Sequence, residues 1–273
     1  MDSPPAAEDP QARLARTLAR VLGGGALAAL MTVVEAARGV GAKVLVEETG
    51  ARTGTTGDEA LDAALAERAA AFLASRAEAA TLRVEEFAPA LDGWRGARVM
   101  FERVEPEPRV VVCGAGHVGA ALARLAHAVG YRVTLLDDRE EFVARSRFPE
   151  QGIELVAAPG WADALREAVG TGRGVYVAVV TRGHNEDEAC MKAALSARPD
   201  YLGMIGSRRR TNIVLGRLRE AGFGEGLLRE VRAPVGLDIG AVSPEEVALA
   251  TLAEIVAHRR GGTGAPLSAW RRG

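Results

Sequence analysis

Aromatic residues are scarce in this chain of 273 residues: six Phe, three Trp and three Tyr, 4 % in all. Its core must therefore be assembled from Val, Leu, Ile and Ala. Lysine is nearly missing, since Lys43 and Lys192 stand alone among 34 basic residues. The rest are arginines, which suit bidentate grips on phosphate or carboxylate, although a bias in genome composition produces the same imbalance. Cysteine is limited to Cys113 and Cys190, too few for a disulfide framework, and both fit as small packed hydrophobes. No excess of one charge exists: 34 basic residues meet 36 acidic ones, for a formal balance of −2. That gives no reason to expect nucleic acid or an anionic membrane as the main partner. No window reaches the ~18 apolar residues of a membrane span, and the acidic, Pro-rich opening MDSPPAAEDPQ lacks the apolar stretch of a signal peptide. The chain reads as cytoplasmic. Also missing are a GxSxG elbow, a P-loop, HExxH and paired CxxC, so no catalytic and no metal-ligating residue is assigned.

What is present divides in two. Residues 1–10 read as a disordered leader. In QARLARTLARVL, Leu14, Leu18 and Leu22 share one helical face, and Gly23-Gly24-Gly25 ends it. ALAALMTVVEA and AKVLVEE read as strands, TGARTGTTG as turn chemistry, and residues 58–79 as a helix carrying Leu61, Leu65, Phe72 and Leu73. TLRVEEF and ARVMFERV read as further strands, so residues 11–104 form a small α+β domain. VEPEPR, at 104–109, is a stiff linker. From 109 to 268 apolar runs alternate with helical stretches: RVVVC, a helix over 118–129, YRVTLLD, EEFVARS, IELVAA, WADALREAV, GVYVAVV, EDEACMKAAL, YLGMIG and RTNIVLGRLREAG. Unalternated apolar strands separated by helices predict a doubly wound parallel sheet of Rossmann type. A last helix opens on Ser243, Pro244 and Glu246, a capping box, with Leu249, Leu252, Ile255 and Val256 as its apolar face.

Four segments carry candidate chemistry. Gly114-Ala115-Gly116-His117-Val118-Gly119 follows a predicted strand and opens a helix, the context the dinucleotide fingerprint requires. Gly114 permits the turn, Gly116 lets a diphosphate approach, and Gly119 lets helix and strand pack. Asp137, Asp138 and Arg139 end the next strand, where an acid binds ribose hydroxyls or an arginine pairs with phosphate. His117 either takes part or faces solvent near the helix start. In VVTRGHNEDE, Arg182 and His184 lie past a strand's carboxyl end, as a ligand site or as a capping loop in which Asn185, Glu186 and Asp187 feed the helix dipole. In YLGMIGSRRR, Gly206, Ser207 and Arg208 open a helix whose arginines oppose its dipole, which an anion would relieve; a solvated basic face is the alternative. In PVGLDIGAVSPEE, Asp238 is a turn residue or a site residue.

Together these segments resemble the xanthine dehydrogenase accessory protein family, the XdhC/CoxI type. The matching stretches are VVVCGAGHVGAALARLAHAVGYRVTLLDDREEF, RFPE, VVTRGHNEDE, YLGMIGSRRR and PVGLDIGAVSPEEVALATLAEIVAHRR, with GGTGAPLS behind them. The first fits many Rossmann proteins; the last three are specific to the family. The resemblance implies a cytoplasmic maturation factor rather than an enzyme. It would bind molybdenum cofactor in its molybdopterin form and deliver it, once sulfurated, to a xanthine dehydrogenase-class molybdoenzyme. The implied partners are that enzyme's molybdenum-binding subunit and a cysteine desulfurase, with self-association as a dimer. The N-terminal part matches less well. The family's Gly-Ser-x-Pro-Arg segment is missing between the first two strands. Its glycine turn reads Gly54-Thr55-Thr56-Gly57-Asp58-Glu59, with Asp62 near the family's Glu position. Acids there remove donors from an anion-binding nest and add repulsion.

The expectation is thus a C-terminal Rossmann-like domain behind a smaller α+β domain. It would carry a cofactor at Gly114, Gly116, His117, Gly119, Asp137, Asp138, Arg139, Arg182, His184, Gly206, Ser207, Arg208 and Asp238. An NAD(P)-dependent oxidoreductase and a nucleotide-sensing scaffold are the alternatives.

Overall fold

The computed structural model describes residues 9–75 and 77–268, and for His184 the backbone alone. The chain forms two compact units, Met1–Pro106 and Glu107–Gly273. Most of the leader expected at 1–10 lies outside the described residues. Its last two belong to the first helix: the Asp9 side chain accepts the Gln11 N–H at 3.1 Å, and Pro10 opens the helix.

In the first unit, helix α1 (Pro10–Gly24) precedes strands β1 (Ala28–Glu35), β2 (Lys43–Glu47) and β3 (Arg52–Thr55). Helix α2 (Glu59–Ala74), β4 (Ala79–Arg83) and β5 (Arg98–Val104) follow. The sheet runs β3-β2-β1-β5-β4, antiparallel throughout. Side chains on β1 alternate faces: Ala29, Met31 and Val33 pack with Leu61, Leu65 and Phe72 of α2. Ala28 packs with Leu14 and Val21 of α1. Val21 thus takes the place expected for Leu22, which is 46 % exposed; the step from Leu18 to Val21 keeps the 3.6-residue period. The turn expected over TGARTGTTG shrinks to residues 48–50, and 52–55 become a hairpin strand. Gly54 permits this, because a Cβ there would stand 2.3 Å from the Lys43 carbonyl on β2. The strand expected over TLRVEEF stops at Arg83, where the Glu86 carboxylate accepts the Arg83 N–H at 2.9 Å and a single 3-10 turn follows.

The second unit alternates strand and helix: β6 (Arg109–Cys113), α3 (His117–Ala128), β7 (Arg132–Asp137), β8 (Ile153–Ala157), α4 (Trp161–Val169), β9 (Val175–Val179), α5 (His184–Ala197), β10 (Tyr201–Met204), α6 (Arg208–Glu220), α7 (Glu225–Glu230) and α8 (Pro244–Arg260). The sheet order is β10-β9-β6-β7-β8, every pair parallel. This is the doubly wound order of a Rossmann fold, with its switch point between β6 and β9. Val110 and Val112 of β6 join α3 and α8 on one face. Val111 and Cys113 join α4, α5 and α6 on the other. Burial on both faces explains why these strands read as unbroken apolar runs, each fully buried Val contributing about 1.5–3 kcal/mol.

Two helical readings change. EEFVARS holds one 3-10 turn, Glu140–Val143, and arginines satisfy carbonyls around it: Arg147 donates to Phe142 O at 3.0 Å and Arg124 to Arg147 O at 2.6 Å. On α8, Leu252 and Ile255 are buried with Ala248 and Thr251, but Leu249 and Val256 remain 50 % and 38 % exposed. The facing helix α3 presents small residues, Ala120, Ala123 and Ala126, so α8 seats closely along a narrower stripe than four apolar positions suggested.

Candidate functional site

β6 ends at the switch point, and the chain turns there through Gly114, whose φ is +111° and whose added Cβ would lie 2.7 Å from the Val180 carbonyl. A Cβ on Gly119 would fall 1.7 Å from the Gly114 carbonyl, so helix and turn are in direct contact. A Cβ on Gly116 would meet nothing within 4 Å. That space lies before the start of α3, which Gly116 caps without any side-chain hydrogen bond. The first N–H groups of the helix and the positive end of its dipole therefore face open space, the elements of an anion site.

The carboxyl ends of β6, β7, β9 and β10 surround a cavity of about 490 Å³. Gly114, Gly116, His117, Asp137, Asp138, Arg139, Arg182 and Gly206 all line it. Four of the residues singled out lie off its wall. Gly119 sits beneath the turn, Ser207 accepts the Arg210 N–H at 3.2 Å as the cap of α6, and Arg208 and Asp238 are exposed elsewhere. His184 begins α5, and its side chain lies outside the described residues. A larger hollow of about 620 Å³ opens at the amino ends of the strands beside Arg109, Arg132 and Ile153. No helix N-terminus is among its walls, and ligands of open parallel sheets bind at the carboxyl ends.

Asp137 is buried and turned inward. One oxygen accepts the Ala115 N–H at 2.7 Å, the other accepts the Arg139 N–H at 3.0 Å, and the Arg139 guanidinium pairs with both. Arg139 also stacks on Phe142, 3.3 Å from the ring centre. Asp138 points to Arg182, which grips it bidentately at 2.7 and 2.9 Å. Asp138 follows β7 and Arg182 follows β9, so the pair spans the end of β6, which lies between them. The Arg182 hydrogen bond, foremost among several contacts, holds the Asp138 carboxyl below its ordinary range, and the same bond raises Arg182.

Sequence reading missed the residues behind Arg210. Asp187, expected to serve the dipole of α5, is fully buried. It accepts the Arg210 Nε–H at 2.6 Å and the Thr181 hydroxyl. Thr181 and Arg210 line the cavity beside Trp161, Val180, Ile205 and Pro244. The available signal was the acid at Asp187, which gives the third arginine of SRRR a buried partner. Cys113 and Cys190 are both fully buried, and burial, with the neighbouring Cys113 thiol, pushes the Cys190 thiol well up. They pack, as expected. Among the described residues no group of three or more His, Cys, Asp or Glu is placed to hold a metal ion, and no helix is long and apolar enough to cross a membrane.

The glycine turn of the first unit is closed by its own acids. Asp62 is fully buried and accepts the Thr56 N–H at 2.8 Å and the Thr55 and Thr56 hydroxyls at 2.6 Å each. Asp58 caps α2 through Ala60 and Leu61 at 3.1 and 3.3 Å and accepts the Trp94 indole N–H at 2.8 Å. The indole bond, then the helix N–H groups, depress its pKa.

A family model described as the XdhC Rossmann domain matches residues 110–255. The chain belongs to the XdhC/CoxI family. A second model, for the XdhC and CoxI family, matches residues 22–85. Among curated relatives, the "Molybdenum cofactor insertion chaperone PaoD" of Escherichia coli K12 is 25 % identical over 288 residues, covering 92 % of this chain and 89 % of that protein. A Bacillus subtilis 168 protein, named as a probable subunit of xanthine dehydrogenase, is 32 % identical over 162 residues, 59 % of this chain and 46 % of that one. The E. coli protein YqeB is 32 % identical over 170 residues, 62 % of this chain and 31 % of its own length. The chain thus matches less than half the length of these last two. A crystal structure described as a xanthine dehydrogenase from Bacillus halodurans shares the fold, with a TM-score of 0.64 and 21 % identity over 91 % of this chain and 68 % of that one.

Proposed function

We propose that this XdhC-family chain holds molybdenum cofactor in the cavity of its Rossmann unit and hands it, in sulfurated form, to a molybdoenzyme of the xanthine dehydrogenase class. The observation that carries the reading is the open, uncapped start of α3 at Gly116, with arginines on the same cavity wall. Molybdopterin carries a phosphate, in some forms extended to a nucleotide diphosphate, and an anion of that kind fits this donor set. In this reading the N–H groups of His117, Val118 and Gly119 take the phosphate, with Gly114, Gly116 and Gly206 keeping the approach clear. Arg182 and Arg210 neutralise its charge, and the buried Asp187 fixes where Arg210 points. Trp161 and Ile205 supply the apolar wall that keeps water from the rest of the ligand. The bound group supplies the redox-active metal centre; the chain supplies position and shielding.

The extensive overlap with the relative named as a molybdenum cofactor insertion chaperone supports this reading. The partners are then the molybdenum-binding subunit of the client and a cysteine desulfurase upstream. The engagement of Asp137 weighs against the nicotinamide alternative, because a ribose would have to displace Arg139 or the Ala115 N–H to reach it. Purification from cells with intact cofactor synthesis, followed by fluorescence of the oxidised pterin, tests the proposal. The expected result is near-stoichiometric pterin and activation of a co-expressed apo-enzyme. Absence of both, or turnover with a dinucleotide, overturns it.

A further inference from the structure

The two arginines assigned to the phosphate are held in different ways. The buried Asp187 accepts the Arg210 Nε–H at 2.6 Å, and the Arg210 Nη1 has no partner among the described residues. Arg210 is thus fixed in place with one amino group left over for a ligand. Arg182 has none left over. Its Nη1 and Nη2 both donate to Asp138, at 2.7 and 2.9 Å, so a carboxylate already fills the fork that would grip a phosphate. Glu186 comes only within 3.7 Å of the same Nη2. Arg182 therefore cannot take an anion bidentately until Asp138 lets go. A second cation stands ready for that carboxylate: Asp138 Oδ1 lies 3.8 Å from the Arg139 Nε. Arg139 is itself kept in position by Asp137 and by its stack on Phe142. The adjacent acids at the end of β7 thus differ in freedom. The Asp137 side chain is 2 % exposed and locked, whereas that of Asp138 is 25 % exposed, at the cavity wall.

We propose that Asp138 is a built-in competitor of the ligand's phosphate: it occupies Arg182 in the empty chain, swings to Arg139 when a phosphate arrives, and retakes Arg182 as the ligand leaves. The inference rests on the reading that this cavity holds the cofactor's phosphate, and it adds how that grip is loosened. Each state pairs every charge, since Asp138 has an arginine in both and Arg182 has an anion in both. The exchange therefore avoids the cost of stranding an ion out of water. A carrier needs a grip of this kind. Arg210 and the start of α3 supply attraction that is always present, while Arg182 supplies attraction that Asp138 can withdraw. Because Asp138 follows β7 and Arg182 follows β9, the clasp closes across the end of β6, where the glycine turn receives the phosphate.

The test is release. Full-length wild type and Asp138→Asn are purified from cofactor-proficient cells, and transfer to excess apo-enzyme is followed as recovered activity against time. Asp138→Asn is expected to hold at least as much pterin as wild type and to hand it over about three- to tenfold more slowly. Asp138→Glu, which keeps the carboxylate, should transfer at close to the wild-type rate. A merely structural clasp would instead move the urea midpoint and leave the transfer rate alone. Pyrophosphate repeats the comparison without the cofactor. Its dissociation, followed by tryptophan fluorescence because Trp161 lines the cavity, should be slower from Asp138→Asn by the same factor. If no pterin accompanies either chain, the cofactor reading fails and the pyrophosphate rates alone decide the exchange. Equal or faster release from Asp138→Asn, or a wild-type chain that binds neither pterin nor pyrophosphate, would overturn the proposal.

Discussion

Each unit leads a strand through a glycine turn into a helix, and the two turns end in opposite electrostatic states. At 54–59 the chain supplies its own anions. Asp58 takes the first N–H groups of α2, and Asp62 takes the Thr56 N–H and both threonine hydroxyls. At 114–119 the Gly114 N–H donates to the Leu136 carbonyl and the Ala115 N–H to Asp137, both at 2.7 Å, and the start of α3 has no side-chain cap. The first turn is a finished structural element; the second keeps its donors for something else.

Changes that break this contrast differ in size. The largest effect belongs to Gly119→Ala, whose Cβ would collide with the Gly114 carbonyl. It is expected to destabilise the Rossmann unit by about 3 kcal/mol or more, read as an earlier urea transition with loss of bound pterin. Asp62→Ala comes next. It removes the buried carboxylate to which the Thr56 N–H and the hydroxyls of the half-buried Thr56 and the exposed Thr55 donate, at a cost of about 1–2 kcal/mol, while the pterin content is expected to stay unchanged. Asp138→Asn is smaller and opposite in sign for binding. It frees Arg182 from its bidentate partner, so affinity for a phosphate probe such as pyrophosphate should rise by about three- to tenfold by calorimetry.

The smallest effect is on pH dependence. The folded-state pKa of Asp138 is depressed, so its contribution is present above the ordinary carboxylate pKa of about 3.9 and is lost only as pH falls through the lower folded value. Arg182 is 46 % exposed, and screening keeps the stability at stake within about 1 kcal/mol. Carbon-detected NMR titration should show Asp138 and Asp58 both ionising below that ordinary value; titration of either at or above it would contradict the contacts described.

The parallel sheet was legible because β6, β7 and β9 are buried on both faces and carry nearly unbroken Val and Leu runs. The turn at Gly114 and the close packing at Gly119 were legible because each follows from backbone space alone. What escaped was direction. Asp137 stands at the position of a ribose-binding acid, yet nothing in the string says that Arg139 and the Ala115 N–H claim both its oxygens. Asp187 reads as one acid among several at a helix start, and only the fold brings Arg210 to it from the next helix. Leu249 and Leu252 are indistinguishable as letters; the small residues of α3 decide which is buried. The hairpin at 52–55 was hidden because glycine and threonine spell a turn until a neighbouring strand comes close.

The central claim is that the open start of α3 is where the cofactor's phosphate is held. Gly116→Asp tests it most directly, by giving α3 the cap that α2 already has. A capping aspartate stabilises a helix by a few tenths of a kcal/mol over glycine, and Gly116 has room for a side chain and an ordinary φ of −68°. The measurement is pterin per chain after purification from cofactor-proficient cells, alongside the urea midpoint. The expected result is a midpoint equal to or above wild type with at least about tenfold less pterin, since the carboxylate occupies the donors and repels the phosphate. A stable variant that retains its full complement of pterin would contradict the claim.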